Sequence, residues 1–347
     1  MSSMQPFIPV FAQSSRSLVK KYLIPELARC LQNRTTPSGF TMAMAIQDAL
    51  QNPDSSIGIY AGDSESYNVL KELFDPIIRD YHCMETLGGQ QTDSSSPDLA
   101  NPDPENRHIL STRIRVARNI AGIPFTPMMT PQDRRQVEHM AKQALLNLTH
   151  DLGGTYTPLE ELQGIQRQHL AGEHLLFSKG DRFQEAAGIN RDWPLARGIF
   201  VSRDLRFAVW INEEDHLRII SIDRNGEISR TADRLNRALD SLSASLDFAR
   251  SDRLDFLTTC PSNLGTGMRA GVHIRLPNLF RHLDILEDLT RTHQLQIRGT
   301  QGEKTGVDNA VFDISNKRRL GITRNQGLQT LCQGIVAIIN QERELSD

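Results

Sequence analysis

The segment Cys260-Pro261-Ser262-Asn263-Leu264-Gly265-Thr266-Gly267-Met268-Arg269 gathers more potential chemistry than any other stretch of this chain. Proline fixes φ, and glycine lets backbone approach a ligand closely. Hydroxyls beside a thiol can hydrogen-bond a thiolate and favour its charged form. Arg269 adds a permanent cation. Together these are the ingredients of a cysteine beside an anion site. Taken alone, the segment reads more readily as a buried cysteine ahead of a turn.

Such groups need elements to hold them. Residues 110–116 alternate, so a strand would turn Arg113 and Arg115 to one face and Ile114 and Val116 to the other. Residues 198–222 read as a strand meander containing Glu213 and Glu214. Adjacent strand residues face opposite ways, so only one of this pair can meet a ligand. Thr130-Pro131 opens a helix that buries Val137, Met140, Ala144, Leu145 and Leu148. Ser229 is expected to cap a helix bearing Leu235, Leu239, Leu242 and Leu246, and Leu328, Leu331, Ile335 and Ile338 line a C-terminal helix. Before residue 90 the pattern is of short helices. One apolar run spans 17–31 (Leu18, Tyr22, Leu23, Leu27, Leu31), and another carries Tyr67, Leu70, Leu73 and Phe74. Residues 88–104 are too polar and Pro/Gly-rich to bury much. Residues 299–306, which include Glu303, are rich in Gly and Thr and read as a mobile loop. The predicted organisation is a helical N-terminal domain over 1–92, a linker over 93–107 and an α+β domain over 108–347 on an antiparallel sheet.

Composition narrows the function. A chain of 347 residues has room for two ordinary domains. No apolar run approaches the length of a membrane span, and the opening residues show no basic region leading into an apolar core. Cys30, Cys83, Cys260 and Cys332 lie far apart without a CxxC pair. That argues against a zinc site and a disulfide framework, and for reduced thiols in the cytoplasm. A net charge of −3 offers no basic field for nucleic acid. Yet seven lysines stand against 32 arginines, and arginine suits forked recognition of phosphate and carboxylate. The absence of GxxxxGK[ST] excludes a Walker-type loop.

The Cys260 segment resembles the active-site cysteine segment of the phosphagen (guanidino) kinases. So do Ser111-Thr112-Arg113-Ile114-Arg115, Asn212-Glu213-Glu214-Asp215-His216-Leu217-Arg218, Arg298-Gly299-Thr300 with Glu303, and Asp313-Ile314-Ser315-Asn316-Lys317-Arg318-Arg319. The likeness runs from about Ser17 to near the C-terminus. It implies a small helical N-domain and a larger, glutamine-synthetase-like catalytic domain, with the active site between them. It implies ATP/ADP as nucleotide, bound through Ser111, Arg113, Arg115, His174, Arg218, Arg269, His273 and Arg298. Mg²⁺ would arrive on the nucleotide rather than on protein ligands. Glu214, Cys260 and Glu303 are implied as the catalytic contacts to the guanidinium, with Cys260 acting as a thiolate by charge and position.

Within that family the likeness is to arginine kinases. Glu303 occupies the loop position where those enzymes carry glutamate and creatine kinases an apolar residue. Asp54-Ser55-Ser56-Ile57-Gly58-Ile59-Tyr60 resembles their short specificity loop, so Ser56, Ile57, Gly58, Ile59 and Tyr60 are implied as contacts to the amino-acid end of L-arginine. Tyr81 before His82 also matches. Gln301 stands where many arginine kinases have arginine, and Cys83-Met84 replaces the usual Gly-Gly. The expected protein is a monomer acting on a small guanidino substrate. The alternatives are a taurocyamine-type kinase, a protein-arginine kinase, or a non-catalytic nucleotide-binding relative. The helical N-domain with its loop argues against the protein kinase, and the intact set of Cys260, Glu214, Glu303 and arginines argues against the last.

Overall fold

The computed structural model describes residues 8–88, 99–298 and 310–346. Its N-terminal part is built of short helices: α1 (Leu18–Tyr22), α2 (Pro25–Leu31), α3 (Met42–Ala45), α4 (Gln47–Gln51), α5 (Ser66–Val69) and α6 (Lys71–His82). The single apolar run predicted over 17–31 is two helices. Ile24, ahead of Pro25, is extended (ψ 159°), because proline disfavours helical backbone in the residue before it. Tyr67, Leu70, Leu73 and Phe74 join Val19, Leu31, Phe40 and Ile78 in one core. That core also takes in Leu257, Cys260, Leu264 and Leu320, so the N-terminal helices and the cysteine loop share one apolar cluster.

The C-terminal part runs β1 (Ile109–Arg118), α7 (Pro131–Leu146), β2 (Gly154–Pro158), α8 (Gly164–Gly172), α9 (Arg182–Ala186), β3 (Gly198–Ser202), β4 (Phe207–Ile211), β5 (Leu217–Asp223) and α10 (Ile228–Ser243). It continues with the short strands β6 (Arg250–Ser251) and β7 (Asp255–Phe256), then β8 (Met268–Arg275), α11 (Leu283–Thr292), β9 (Leu295–Arg298), β10 (Val311–Asn316) and α12 (Arg324–Glu344). Eight strands form one sheet in the order β2-β3-β4-β5-β1-β8-β10-β9, with antiparallel pairing throughout.

One face of the sheet is apolar: Ile114, Val116, Val209, Ile219, Val272 and Ile314 pack with Val137, Leu235, Leu239, Leu331 and Ile335 of α7, α10 and α12. The other face divides. Over β3, β4 and β5, Ile199, Ala208, Trp210 and Ile220 lie in a cluster with Leu170, Leu175 and Phe177. Over β1, β8 and β10 it carries polar side chains in register. Ser111 pairs with His273, Arg113 with Gly271 and Arg115 with Arg269; Asp313 then pairs with His273 on one side and Arg298 on the other.

Thr130 caps α7, with Asp133 returning the bond to its backbone N–H. Ser229, in contrast, lies inside the first turn of α10; Glu227 holds the cap position, and Leu246 is buried beyond the helix end. The stretch expected to bury little is partly embedded at its described end. Leu99 packs on the main core, and the buried Asp103 accepts the N–H groups of Arg107, His108 and Ile109 at 3.1, 2.8 and 2.7 Å. One carboxylate thereby satisfies three donors at the entry to β1. No helix among the described residues is long and apolar enough to cross a membrane.

Candidate active site

The polar face of β1, β8 and β10 forms the floor of a cavity of about 460 Å³, lined by Arg113, Arg115, His174, Trp210, Arg269, Gly271, His273, Arg298 and Asp313. Ser111 lies just beyond, in an adjoining cavity of about 450 Å³ that shares Arg113, His174 and His273 with it. On the other side, Arg115 and Arg298 also line a third cavity of about 430 Å³, where Glu214, Arg218 and Cys260 meet Ser56, Ile57, Gly58 and Tyr60. The three adjoin through these shared residues, and the third alone is walled also by the N-terminal part.

Arg269 is held firmly, and the arginines around it are charged at a cost. Arg269 donates from Nε to Ser315 at 3.1 Å and from Nη2 to Asp313 at 2.7 Å. Arg113 lies over the Trp210 ring at 5.4 Å, and its Nε and Nη2 are buried without a hydrogen-bond partner among the described residues. Trp210 is itself fixed by its indole N–H to the Leu175 carbonyl at 2.5 Å and by stacking on Phe177. Burial, then the Arg218 charge, lowers Arg113 to about 10. Burial with Arg218, Arg269 and Arg113 pushes Arg115 well down too. Cations that depress one another in a sheltered site are stabilised by an anion placed among them.

Glu213 and Glu214 lie not on a strand but in the bend between β4 and β5. Their carboxylates therefore do not oppose; each comes within 3.0 Å of Arg218 Nη2. The bend is built by its neighbours. Asn212 donates to the carbonyls of Arg134 and Ala196, Asp215 accepts from the N–H of Thr259 at 2.6 Å, and His216 accepts from Ile120 and faces the Pro124 carbonyl. Burial raises Glu214 to about 7; Arg218 opposes this and Glu213 reinforces it. On Arg218, burial is outweighed by Glu213 and Glu214, and the net direction is up.

Cys260 is buried, with its Sγ 3.0 Å from Ser262 Oγ. The expected thiolate is not favoured by these surroundings. Burial pushes the thiol far up, Glu214 pushes it further, and the Ser262 hydroxyl opposes them only in part.

Gly58 has φ +80°, and a Cβ there would sit 2.6 Å from the Ala49 methyl, so the loop's path requires glycine. Ile59 departs from expectation: it is fully buried in the N-terminal core and does not line the cavity. Arg182 of α9 donates to Asn52 at 2.9 Å and pairs with Asp54, tying the loop to the C-terminal part. Glu303 and Gln301 lie outside the described residues. Sequence reasoning assigned no role to Gln184, Asn263 or Arg319, which line the third cavity, or to Trp210 and Asp313 in the first. Arg319 and Asp313 stood in a quoted run; Gln184 carried no sequence signal at all.

Two family descriptions match: the ATP:guanido phosphotransferase N-terminal domain over residues 13–79 and its C-terminal catalytic domain over residues 136–345. The chain is 45% identical over 335 residues to an arginine kinase of Anthopleura japonica, covering 95% of this chain but 47% of that protein. It is 42% identical over 339 residues to the arginine kinase of Limulus polyphemus, covering 96% and 94%. A lombricine kinase crystal structure superposes with a TM-score of 0.92 at 36% identity, covering 98% and 95% of the two chains. The substrate-free duplicated taurocyamine kinase of Schistosoma mansoni gives 0.90 at 35%, covering 96% of this chain and 48% of that one. The chain thus spans about half of the Anthopleura and Schistosoma proteins and nearly all of the others. With both family descriptions matched and near full-length relatives at this identity, the chain belongs to the ATP:guanido phosphotransferases, the phosphagen kinases.

Proposed function

We propose that this protein transfers the γ-phosphoryl group of ATP, reversibly, to the guanidinium of L-arginine, giving phosphoarginine and ADP. The observation that carries this reading is the continuity of the cleft. Arg115 and Arg298 line both the arginine-walled cavity and the one holding Glu214, Cys260 and the 54–60 loop. Polyphosphate belongs on the arginine side, beyond which Ser111, His174 and His273 receive the rest of the nucleotide. The acceptor belongs on the other, its guanidinium at Glu214 and Cys260 and its amino-acid end at the loop. A guanidino nitrogen attacks the γ-phosphorus; the N–P bond forms as the bond to the β,γ-bridging oxygen breaks. ADP leaves with the electron pair, and the guanidinium gives up one proton. Most of the catalysis is positioning and charge compensation. Ionised Glu214, joined by Glu303 from its loop, orients the nucleophile by forked hydrogen bonds. Arg113, Arg115, Arg218, Arg269 and Arg298 offset charge on the transferring group.

We assign Mg²⁺ to the nucleotide's phosphate oxygens. Among the described residues the arginine-lined cavity has one carboxylate in its wall, Asp313, and Arg269 holds it. A monomer in the cytoplasm is part of the same reading, supported by likeness to arginine kinases and by free Cys30, Cys83, Cys260 and Cys332. The second reading, a kinase for taurocyamine or lombricine, is favoured by the superposition on those two enzymes. A coupled assay of ADP formation with L-arginine, creatine, taurocyamine, lombricine and glycocyamine separates them. Arginine should give the highest kcat/KM; a faster rate with any other acceptor would overturn the assignment.

A further inference from the structure

Arg319 is a buried guanidinium with no carboxylate bonded to it among the described residues. Burying a cation is costly unless its donors are used, and one of them, Nε, has no partner among the described residues. Its Nη1 explains what it does. It donates to the Ser262 carbonyl at 2.9 Å and also to the side-chain oxygen of Asn263. Both acceptors belong to the loop that starts at Cys260. Asn263 uses the other end of its amide to reach Glu214 Oε1 at 3.4 Å, and Ser262 Oγ lies 3.0 Å from the Cys260 sulfur.

The backbone of Arg319 grips the same loop at its far end. Its carbonyl accepts from the N–H of Thr266 at 3.0 Å and from the Thr266 hydroxyl at 3.1 Å. Gly265 (φ +85°) makes this approach possible: a Cβ there would lie 2.5 Å from the Arg319 oxygen. The preceding carbonyl, that of Pro261, is held from the N-terminal side by His82 Nε2 at 2.9 Å. Burial lowers His82 to about 4, so the ring is neutral near neutral pH and carries its proton on that nitrogen.

We infer that Arg319 is a positioning residue that brackets the Cys260–Thr266 loop from both ends and, through Asn263 and Ser262, sets Glu214 and Cys260 in the geometry that receives the guanidinium. It acts through those groups rather than on phosphate. The inference rests on the acceptor side of the cleft as assigned above, but not on the acceptor being arginine.

The test compares Arg319→Lys, Arg319→Gln and Asn263→Ala in the full chain, using whichever guanidino compound the wild type turns over fastest. Arg319→Gln should lower kcat/KM for the acceptor by about 10²-fold, the scale of a small misplacement of catalytic groups. The KM for ATP should stay within about twofold. Arg319→Lys should recover part of the loss, since it keeps the charge without the planar fork. Asn263→Ala should fall in the same direction, and adding it to Arg319→Gln should cost little more. Thermal unfolding establishes that each variant is folded. A folded Arg319→Gln with unchanged acceptor kinetics overturns the proposal, as does one whose loss falls on the KM for ATP. If the Arg319 variants do not fold, Asn263→Ala decides alone, and unchanged acceptor kcat/KM overturns it. If the wild type phosphorylates no guanidino compound, the proposed reaction fails separately. The bracket is then read from iodoacetamide alkylation of Cys260, followed by peptide mass spectrometry. Arg319→Gln should change that rate severalfold, and an unchanged rate overturns the proposal.

Discussion

β1 serves two faces that obey different rules. Ile114 and Val116 enter a core covered by helices and have no exposure. Arg113 and Arg115, one residue away along the same strand, enter the cleft, where burial is paired with charge instead of apolar contact. The first face makes the sheet stable. The second is a liability to folding: its cations are desolvated, crowded and pushed down in pKa. Such strain persists where a ligand relieves it. The comparison therefore separates residues by what their loss should do. Removing a covered-face side chain should cost stability; removing a cleft-face side chain should cost rate.

The largest effect should come from Glu214→Gln. The change keeps volume and removes the charge that holds the guanidinium. Turnover at saturating acceptor should fall by about two to four orders of magnitude with nucleotide binding retained. Near-normal turnover would remove Glu214 from its assigned role. On the other face, Ile114→Ala should cost about 2–5 kcal/mol in denaturant unfolding. The fraction that remains folded should keep its kcat/KM; a selective loss of activity without loss of stability would break the division of the two faces.

The smallest effect is one of pH. In its proposed role Glu214 holds the acceptor in its ionised form, and burial has raised it to about 7. Protonation accumulates as pH falls through that value, so kcat/KM for the acceptor should decline by about tenfold per unit below it and level off above. The limb belongs to the free enzyme, since a bound guanidinium favours the ionised carboxylate. A flat profile between about pH 6 and 8 would show that Glu214 is ionised throughout, and would remove burial as the dominant influence on it.

Much of this was legible because period and type agreed. The alternation across residues 110–116 placed Arg113 and Arg115 on one face, and the pairing of β1 with β8 and β10 then gathered Arg269, His273 and Asp313 around them. The 130–148 run kept its Thr-Pro start because a capping box fixes it. What failed did so for local reasons. Pro25 cut an apolar run that spacing alone read as continuous. Glu213 and Glu214 were read by strand alternation, but Asn212 adopts φ 57° and opens the bend that turns both toward Arg218. Ile59 sits in a motif whose other members line the third cavity, yet its side chain packs in the N-terminal core, which residue type alone does not announce. Gln184 and Arg319 reach the site through tertiary packing, which neither periodicity nor residue type announces.

The central claim, that the cleft face is kept for a ligand and against stability, meets its most direct test in Arg115→Leu. Melting temperature and kcat/KM for ATP are measured on the same preparation. Replacing a half-buried, crowded cation by an apolar side chain should leave the melting temperature unchanged or raise it, since replacements of desolvated charges by apolar groups are commonly neutral or stabilising by about 1–4 kcal/mol. The kcat/KM for ATP should fall by at least about 10²-fold, as for other lost transition-state charge contacts. A clear drop in melting temperature with nucleotide kinetics unchanged would show that Arg115 serves the fold, and would contradict the account.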